Sequence, residues 1–333
     1  NTLYAVPSGK DFDNCSKILE TLKNAAYCER AKKVLSCFLT DYSAEELDYC
    51  VQGAYNGTFE NNTPAPLADI GNNRYMLELW HGPTCAFKDL ALQLLPYLLT
   101  VALKKGASGN QAVILVATSG DTGKAALEGF RDVEGTRVLV FFPRDGVSNI
   151  QKLQMITQEG NNVGAEAVEG NFDDAQNGVK AIFQDAEYNA FLKENNIVLS
   201  SANSINWGRL VPQIVYYVSS WVTMMERGEL TKDETFNVVV PTGNFGNILA
   251  AYYAKKMGVP IGRLICASNA NDVLTEFIDT GYYNRRRDFH LTISPSMDIL
   301  ISSNLERFLY DISGKDTEKV AEWMQTLREE GAY

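Results

Sequence analysis

A chain of 333 residues, 45% hydrophobic and 21% charged, carries enough apolar material for a large core and about two domains, which argues against disorder on the scale of a domain. Its formal net charge of −11 disfavours nucleic acid and anionic membrane surfaces as partners, and the single basic run, Arg285-Arg286-Arg287, reads as a solvated loop face. Six scattered cysteines (Cys15, Cys28, Cys37, Cys50, Cys85 and Cys266) form neither a disulfide framework nor a metal-binding spacing, so a reducing, cytoplasmic setting without bound metal is expected.

The N-terminus, Asn1-Thr2-Leu3-Tyr4-Ala5-Val6-Pro7-Ser8, has no basic-then-apolar signal pattern, and no apolar stretch is long enough to span a bilayer. An apolar periodicity through Ile18, Leu22 and Ala26 predicts an early helix. Ser43-Ala44-Glu45-Glu46 predicts a capping box ahead of Leu47, Val51 and Tyr55. The polar, proline-bearing stretch 61–66 then reads as a surface connection.

Lys88 follows next, in an otherwise uncharged stretch, Leu79-Trp80-His81-Gly82-Pro83-Thr84-Cys85-Ala86-Phe87-Lys88, with Asp89 and the apolar run Leu90 to Leu95 behind it. An ammonium among such neighbours loses hydration, which makes the neutral amine accessible and Lys88 a candidate Schiff-base nucleophile. The alternative is a lysine that snorkels to water from the start of a helix.

Beyond it, strands at Val113–Val116, Val138–Phe142, Phe236–Val240 and Leu264–Ala267 alternate with amphipathic stretches at Lys124–Phe130, Asp173–Gln184, Leu210–Met225, Asn247–Met257 and Asp272–Thr280. That alternation predicts α/β architecture, with largely parallel sheets covered by helices on both faces. Ligands then belong at the carboxyl ends of the strands.

Three loops at such places carry unusual chemistry. Ala117-Thr118-Ser119-Gly120-Asp121-Thr122-Gly123-Lys124 lacks the first glycine and the final hydroxyl of a phosphate-binding Lys-Ser/Thr loop; its three hydroxyls suit a carboxylate, or simply cap a helix. Ser201 to Leu210 is rich in short donors (Ser204, Asn206) and closes on Arg209, which suits a phosphate, or is a capped helix with a surface arginine. Val240-Pro241-Thr242-Gly243-Asn244-Phe245-Gly246-Asn247 fails the dinucleotide pattern; its glycines and helix-terminal N–H groups suit a phosphate dianion, or mark a plain turn.

Only two histidines, His81 and His290, and no G-x-S-x-G elbow are present, so a serine or cysteine hydrolase is hard to build, and His81 fits orientation of a loop better than base chemistry. A desolvated lysine, a phosphate nest and two further anion sites are explained together by pyridoxal 5′-phosphate acting on an amino acid. The arginine-bearing loop implies a second anion on the substrate, as in a phosphorylated amino acid.

Leu77-Glu78-Leu79-Trp80-His81-Gly82-Pro83-Thr84-Cys85-Ala86-Phe87-Lys88-Asp89 resembles the cofactor-lysine signature of threonine synthases, in the fold-type II group of pyridoxal-phosphate enzymes. Ala117–Gly123, Ser200–Leu210, Pro241–Asn247, 267–272 and 294–299 are similar to further blocks of that family, in its order. The resemblance implies two open αβα domains with the active site between them. It places a helical segment at 1–70, a large cofactor-binding domain at 71–95 and 200–333, and a small mobile domain at 96–199.

It also implies that Lys88 links to the cofactor and shuttles protons, that Gly243, Asn244, Phe245, Gly246 and Asn247 cradle the cofactor phosphate, and that Asp121 lies near the cofactor's phenolic oxygen. Thr84, Ser119 and Thr122 would serve the substrate, the latter two at its carboxylate, with Ser204, Asn206 and Arg209 at its phosphate. The implied reaction turns O-phospho-L-homoserine and water into L-threonine and phosphate, in a monomer or homodimer. Rival expectations are a phospholyase releasing a 2-oxo acid, and a non-catalytic ligand-binding fragment. Because the family begins before Leu3 and continues past Tyr333, the resemblance implies a chain shortened at both ends, with the partner of the pyridine nitrogen beyond Tyr333.

Overall fold

The computed structural model describes residues 21–106 and 110–333; Ile18, Cys15 and the Leu3–Pro7 segment lie outside them. Leu22 is buried, but Asn24 adopts a left-handed conformation (φ 60°) that a right-handed helix cannot continue. Helix α1 therefore begins only at Tyr27 and ends at Ser36. Helix α2 (Ala44–Tyr55) starts at the expected capping box, with the Glu46 N–H donating to Ser43 Oγ at 3.2 Å and the Ser43 N–H donating to the Glu46 carboxylate at 2.7 Å.

Contacts divide the chain into two compact units, with residues 24–212 in one and 213–333 in the other. In the first, β1 (Leu67–Asp69) and β2 (Tyr75–Leu77) form an antiparallel pair ahead of α3 (Asp89–Leu92) and α4 (Leu95–Lys105). An alternating series follows: β3 (Gln111–Ala117), α5 (Asp121–Phe130), β4 (Thr136–Pro143), α6 (Asn149–Ile156), β5 (Val163–Val168), α7 (Phe172–Gln184), α8 (Ala186–Glu194) and β6 (Ile197–Ser200). The four strands from β3 to β6 make one parallel sheet in the order β5-β4-β3-β6.

Both faces of that sheet are covered, because successive residues of β3 point to opposite sides. Ala112, Ile114 and Val116 pack with Ala125, Ala126, Leu127 and Phe130 of α5, while Leu115 and Ala117 pack with Ala175 and Val179 of α7. The expected α/β architecture with a parallel sheet is present.

Helix α9 (Trp207–Glu226) carries Pro212, where the division falls. The second unit holds a parallel pair, β7 (Phe236–Pro241) and β8 (Ile261–Ala267), joined through α10 (Gly246–Lys256), then α11 (Val273–Thr280), α12 (Leu305–Ile312) and α13 (Thr317–Glu330). The arginine run is partly solvated, with Arg286 exposed and Arg285 and Arg287 half-buried against this framework. Arg285 donates to the Arg328 carbonyl at 2.9 Å, Arg286 lies against Gly331, and Arg287 pairs with Asp272 (2.8 Å) and Glu276. Arg287 thus tethers α11 and Arg285 tethers α13.

Candidate active site

In the sheet of the first unit, β3, β4 and β5 run outward on one side while β6 returns to the other side of β3. The order in which strands are added therefore reverses at β3, between β4 on one side and β6 on the other, and in an open parallel sheet a ligand crevice lies at the carboxyl ends of such strands. The loops leaving those ends are 118–120 and 201–206, two of the three segments singled out by their chemistry.

Lys88 caps the N-terminus of α3, and its side chain is 10% exposed, which excludes the snorkelling alternative. Burial is the main force lowering the pKa of its amine, with the Arg209 guanidinium pushing the same way and the Asp121 and Asp89 carboxylates opposing. Nζ lies 3.4 Å from Asp121 Oδ2 and 4.6 Å from the centre of the Phe87 ring. The loop that delivers it is tied down by Asp89, which is fully buried and accepts both the N–H and the hydroxyl of Thr84. Thr84 Oγ1 therefore directs its hydrogen at Asp89. His81 sits between two carboxylates, with Nδ1 2.8 Å from Glu60 and Nε2 2.7 Å from Glu78, and these hold its pKa above the usual imidazole value.

After β3, Thr118 Oγ1 accepts from the N–H groups of Gly120 and Gly123, both at 3.0 Å, and so builds the loop instead of facing a ligand. Ser119 and Thr122 are half-buried, and their hydroxyls hold no internal hydrogen bond among the described residues. Asp121 opens α5; its Oδ1 accepts from Gln151 Nε2 at 2.7 Å. Gln151 is a site neighbour outside the three loops; Ser148-Asn149-Ile150-Gln151 has the spacing of a capping box and forms one at the start of α6, but that spacing carries no sign of the contact with Asp121.

After β6, Asn206 uses its side chain on its own loop, donating to the Ser201 carbonyl at 2.8 Å and accepting from the Gly208 N–H at 2.9 Å. Arg209 is not a surface residue. It is 3% exposed, donates from Nη1 to the Ala202 carbonyl at 2.5 Å, and burial lowers its pKa to about 10. A guanidinium so placed stays charged at neutral pH and is near enough to act on Lys88. Ser204 is half-buried in the same loop.

In the second unit, Phe245 takes a left-handed conformation (φ 63°, ψ −2°) between β7 and α10. The Gly243 carbonyl accepts from Ser302 Oγ at 2.5 Å, and the Asn244 carbonyl accepts from Asn304 N–H and Nδ2 at 3.1 Å each. With the carbonyls engaged there, the N–H groups of Gly243 to Asn247 meet no acceptor among the described residues. Consecutive free N–H groups at a helix N-terminus form an anion nest. The Asn247 side chain is held apart, its Oδ1 receiving the Tyr216 and Tyr217 hydroxyls at 2.6 Å each.

Residues 59–333 match the family described as pyridoxal-phosphate dependent enzyme. The chain belongs to this family. It is 45% identical to threonine synthase-like 1 of Homo sapiens, over 92% of this chain and 42% of that protein. It is 42% identical to the threonine synthase of Corynebacterium glutamicum, over 96% of this chain and 64% of that protein. A crystal structure of pyridoxal-phosphate-bound threonine synthase from Brucella melitensis superposes with a TM-score of 0.86 at 42% identity, covering 95% of this chain and 65% of that one. The chain thus spans less than half of the threonine synthase-like protein and about two thirds of the two threonine synthases.

Pyridoxal phosphate is the cofactor of this family, and the residues present fit it. The coenzyme needs a primary amine able to lose its proton, which the burial of Lys88 favours. It also needs donors for a phosphate dianion, and the open N–H groups at the start of α10 are donors of that kind.

Proposed function

We propose that this chain carries the site of a threonine synthase, a lyase that converts O-phospho-L-homoserine and water into L-threonine and phosphate. The observation that carries the reading is the buried Arg209 guanidinium, whose charge acts on the Lys88 amine. A fixed positive charge acting on the reacting amine suits a substrate that brings its own phosphate. The likeness to threonine synthases over more than nine-tenths of this chain supports the same substrate.

In this reading Lys88 links to the cofactor and Gly243 to Asn247 receive the cofactor phosphate. Ser119 and Thr122 receive the substrate carboxylate, with Thr84 holding the loop beside it. Ser204, Asn206 and Arg209 face the substrate phosphate, and Asp121 lies near the cofactor's phenolic oxygen. The bound cofactor supplies a sink for the electron pair left when the α-proton departs. Lys88 Nζ takes that proton and later returns one. A β-proton then leaves as the bond from the γ-carbon to the phosphate oxygen breaks, and the departing phosphate, still held by Arg209, is placed to activate the water that adds at the β-carbon. A cytoplasmic setting, with the protein as monomer or homodimer, belongs to the same proposal.

Product analysis tests the reaction. Incubation of the holoprotein with O-phospho-L-homoserine is expected to yield threonine and phosphate in equal amounts. Release of 2-oxobutyrate and ammonia without threonine would assign a phospholyase in its place.

A further inference from the structure

The Lys88 amine faces one carboxylate at hydrogen-bond range, and that carboxylate is itself held. Asp121 presents Oδ2 to Nζ at 3.4 Å while Oδ1 accepts from Gln151 Nε2 at 2.7 Å. Gln151 is held in turn by the capping box of α6, in which its Oε1 accepts from Ser148 N–H at 3.4 Å and from Ser148 Oγ at 3.1 Å. Those two contacts fix which end of the amide is oxygen, so the nitrogen is the end aimed at Asp121.

The neighbouring glycine makes the approach possible. Gly120 has φ 145°, and a Cβ there would stand 2.4 Å from Gln151 Cδ, in the space the amide occupies. Gly120 therefore serves both the turn before α5 and the passage of the Gln151 side chain to Asp121.

We propose that Gln151 is a positioning residue. Its amide holds one oxygen of Asp121 so that the other is presented to the Lys88 amine at a distance too long for a tight ion pair. A carboxylate free to turn would close on the ammonium and keep it protonated. A carboxylate pinned by an amide stays close enough to guide the amine and leaves it able to lose its proton. Asp89 and Arg209 are the other charged groups acting on Lys88. The proposal rests on the reading of Lys88 as the cofactor-linking lysine.

The test uses the protein before cofactor is added. Lys88 is acetylated competitively across a range of pH, and its labelling midpoint is read by peptide mass spectrometry in the parent protein and in Gln151→Met, Gln151→Glu and Ser148→Ala. Gln151→Met keeps the volume and removes the donor, so its midpoint is expected to rise by about one pH unit, with roughly tenfold less reactive amine below it. Gln151→Glu is expected to raise it further, while Ser148→Ala, which keeps the Ser148 N–H on Oε1, lowers the melting temperature and moves the midpoint less than Gln151→Met does.

Equal midpoints in Gln151→Met and the parent would reduce Gln151 to a helix cap and overturn the proposal. So would a rise in Gln151→Glu alone, which reports only an added charge. In an Asp121→Asn background, Gln151→Met is expected to move nothing; a shift there would also overturn it. Borohydride reduction of the holoprotein, followed by peptide mapping, separately decides whether the cofactor is attached to Lys88.

Discussion

The Asp89 carboxylate, sealed from solvent, receives the Thr84 N–H at 2.8 Å and the Thr84 hydroxyl at 2.6 Å. Burial raises the pKa of this carboxyl while the two Thr84 bonds oppose the rise, so the pair is what allows an acid to sit under the lysine-bearing loop. Replacing Thr84 by valine removes one donor without changing the shape. A loss of about 1.5–3 kcal/mol in unfolding free energy is expected, the usual worth of a hydrogen bond to a charged group, measured by urea titration.

The same carboxylate explains the glycine of the Gly82-Pro83-Thr84 turn. A Cβ at Gly82 would lie 2.5 Å from Asp89 Oδ2 and 2.9 Å from the Phe59 ring. Gly82→Ala should therefore displace either the carboxylate or the ring, at a cost of about 1–3 kcal/mol. Because Asp89 is next to Lys88 in the chain, weaker binding of pyridoxal phosphate is expected as well, seen as a higher cofactor concentration at half-saturation of the absorbance of the bound form.

Lys88 gives a prediction with a definite sign. Its folded-state pKa is lowered by burial, so between that value and the ordinary lysine value the unfolded chain binds more protons than the folded one, and stability rises with pH across that window. Below the window the folded protein bears the full cost of a desolvated ammonium. Lys88→Met should therefore raise the melting temperature of the cofactor-free protein at neutral pH, with the gain shrinking as pH approaches the ordinary lysine value. The same variant should fail to acquire the absorbance of lysine-linked cofactor. A lower melting temperature at neutral pH would contradict the sign.

The candidate segments are legible in the sequence because each is local. Lys88, the Asp121 loop and the Gly243–Asn247 turn each lie at a strand-to-helix junction, and strands such as Val138–Phe142 are apolar runs bounded by turn residues. What escapes is of two kinds. Strand β5 is interrupted by Gly164 and Glu166, and β6 is only four residues long, so neither makes a run that separates strand from loop. Gln151, Ser302 and Asn304 act through partners 30 to 60 positions away, and spacing in one sequence carries no sign of such contacts. The depth of Arg209 is likewise invisible locally, since an arginine at the head of a helix reads equally well as a surface charge.

A substitution at Arg209 tests whether substrate binding can be lost apart from cofactor binding. Arg209→Lys keeps a positive charge but loses the planar fork, and with it at least one directed hydrogen bond to a phosphate. A fall of roughly ten- to hundredfold in kcat/KM for O-phospho-L-homoserine is expected, the kinetic equivalent of one hydrogen bond to a charged group. The absorbance of the bound cofactor should stay as in the parent protein. Loss of that absorbance together with activity would place Arg209 on the cofactor instead.

His81 should behave as a clamp that weakens with rising pH. Its ring lies between Glu60 and Glu78, and the Glu60 N–H also donates to the His81 carbonyl at 3.0 Å, so one residue ties the 60–62 turn to the loop preceding Lys88. Bonding to both carboxylates raises the imidazole pKa. The stabilisation is therefore complete below the ordinary histidine value and is lost as pH climbs through the higher folded-state value. Melting curves of the parent protein and His81→Gln should lie apart at pH 6 and converge on the alkaline side. Added salt should narrow the gap at pH 6, because Glu60 is largely exposed and its charge is screened. A gap that stayed constant from pH 6 to pH 9 would mean that His81 holds the loop by packing against Trp80, whose ring stacks on it at 5.7 Å, and not by charge.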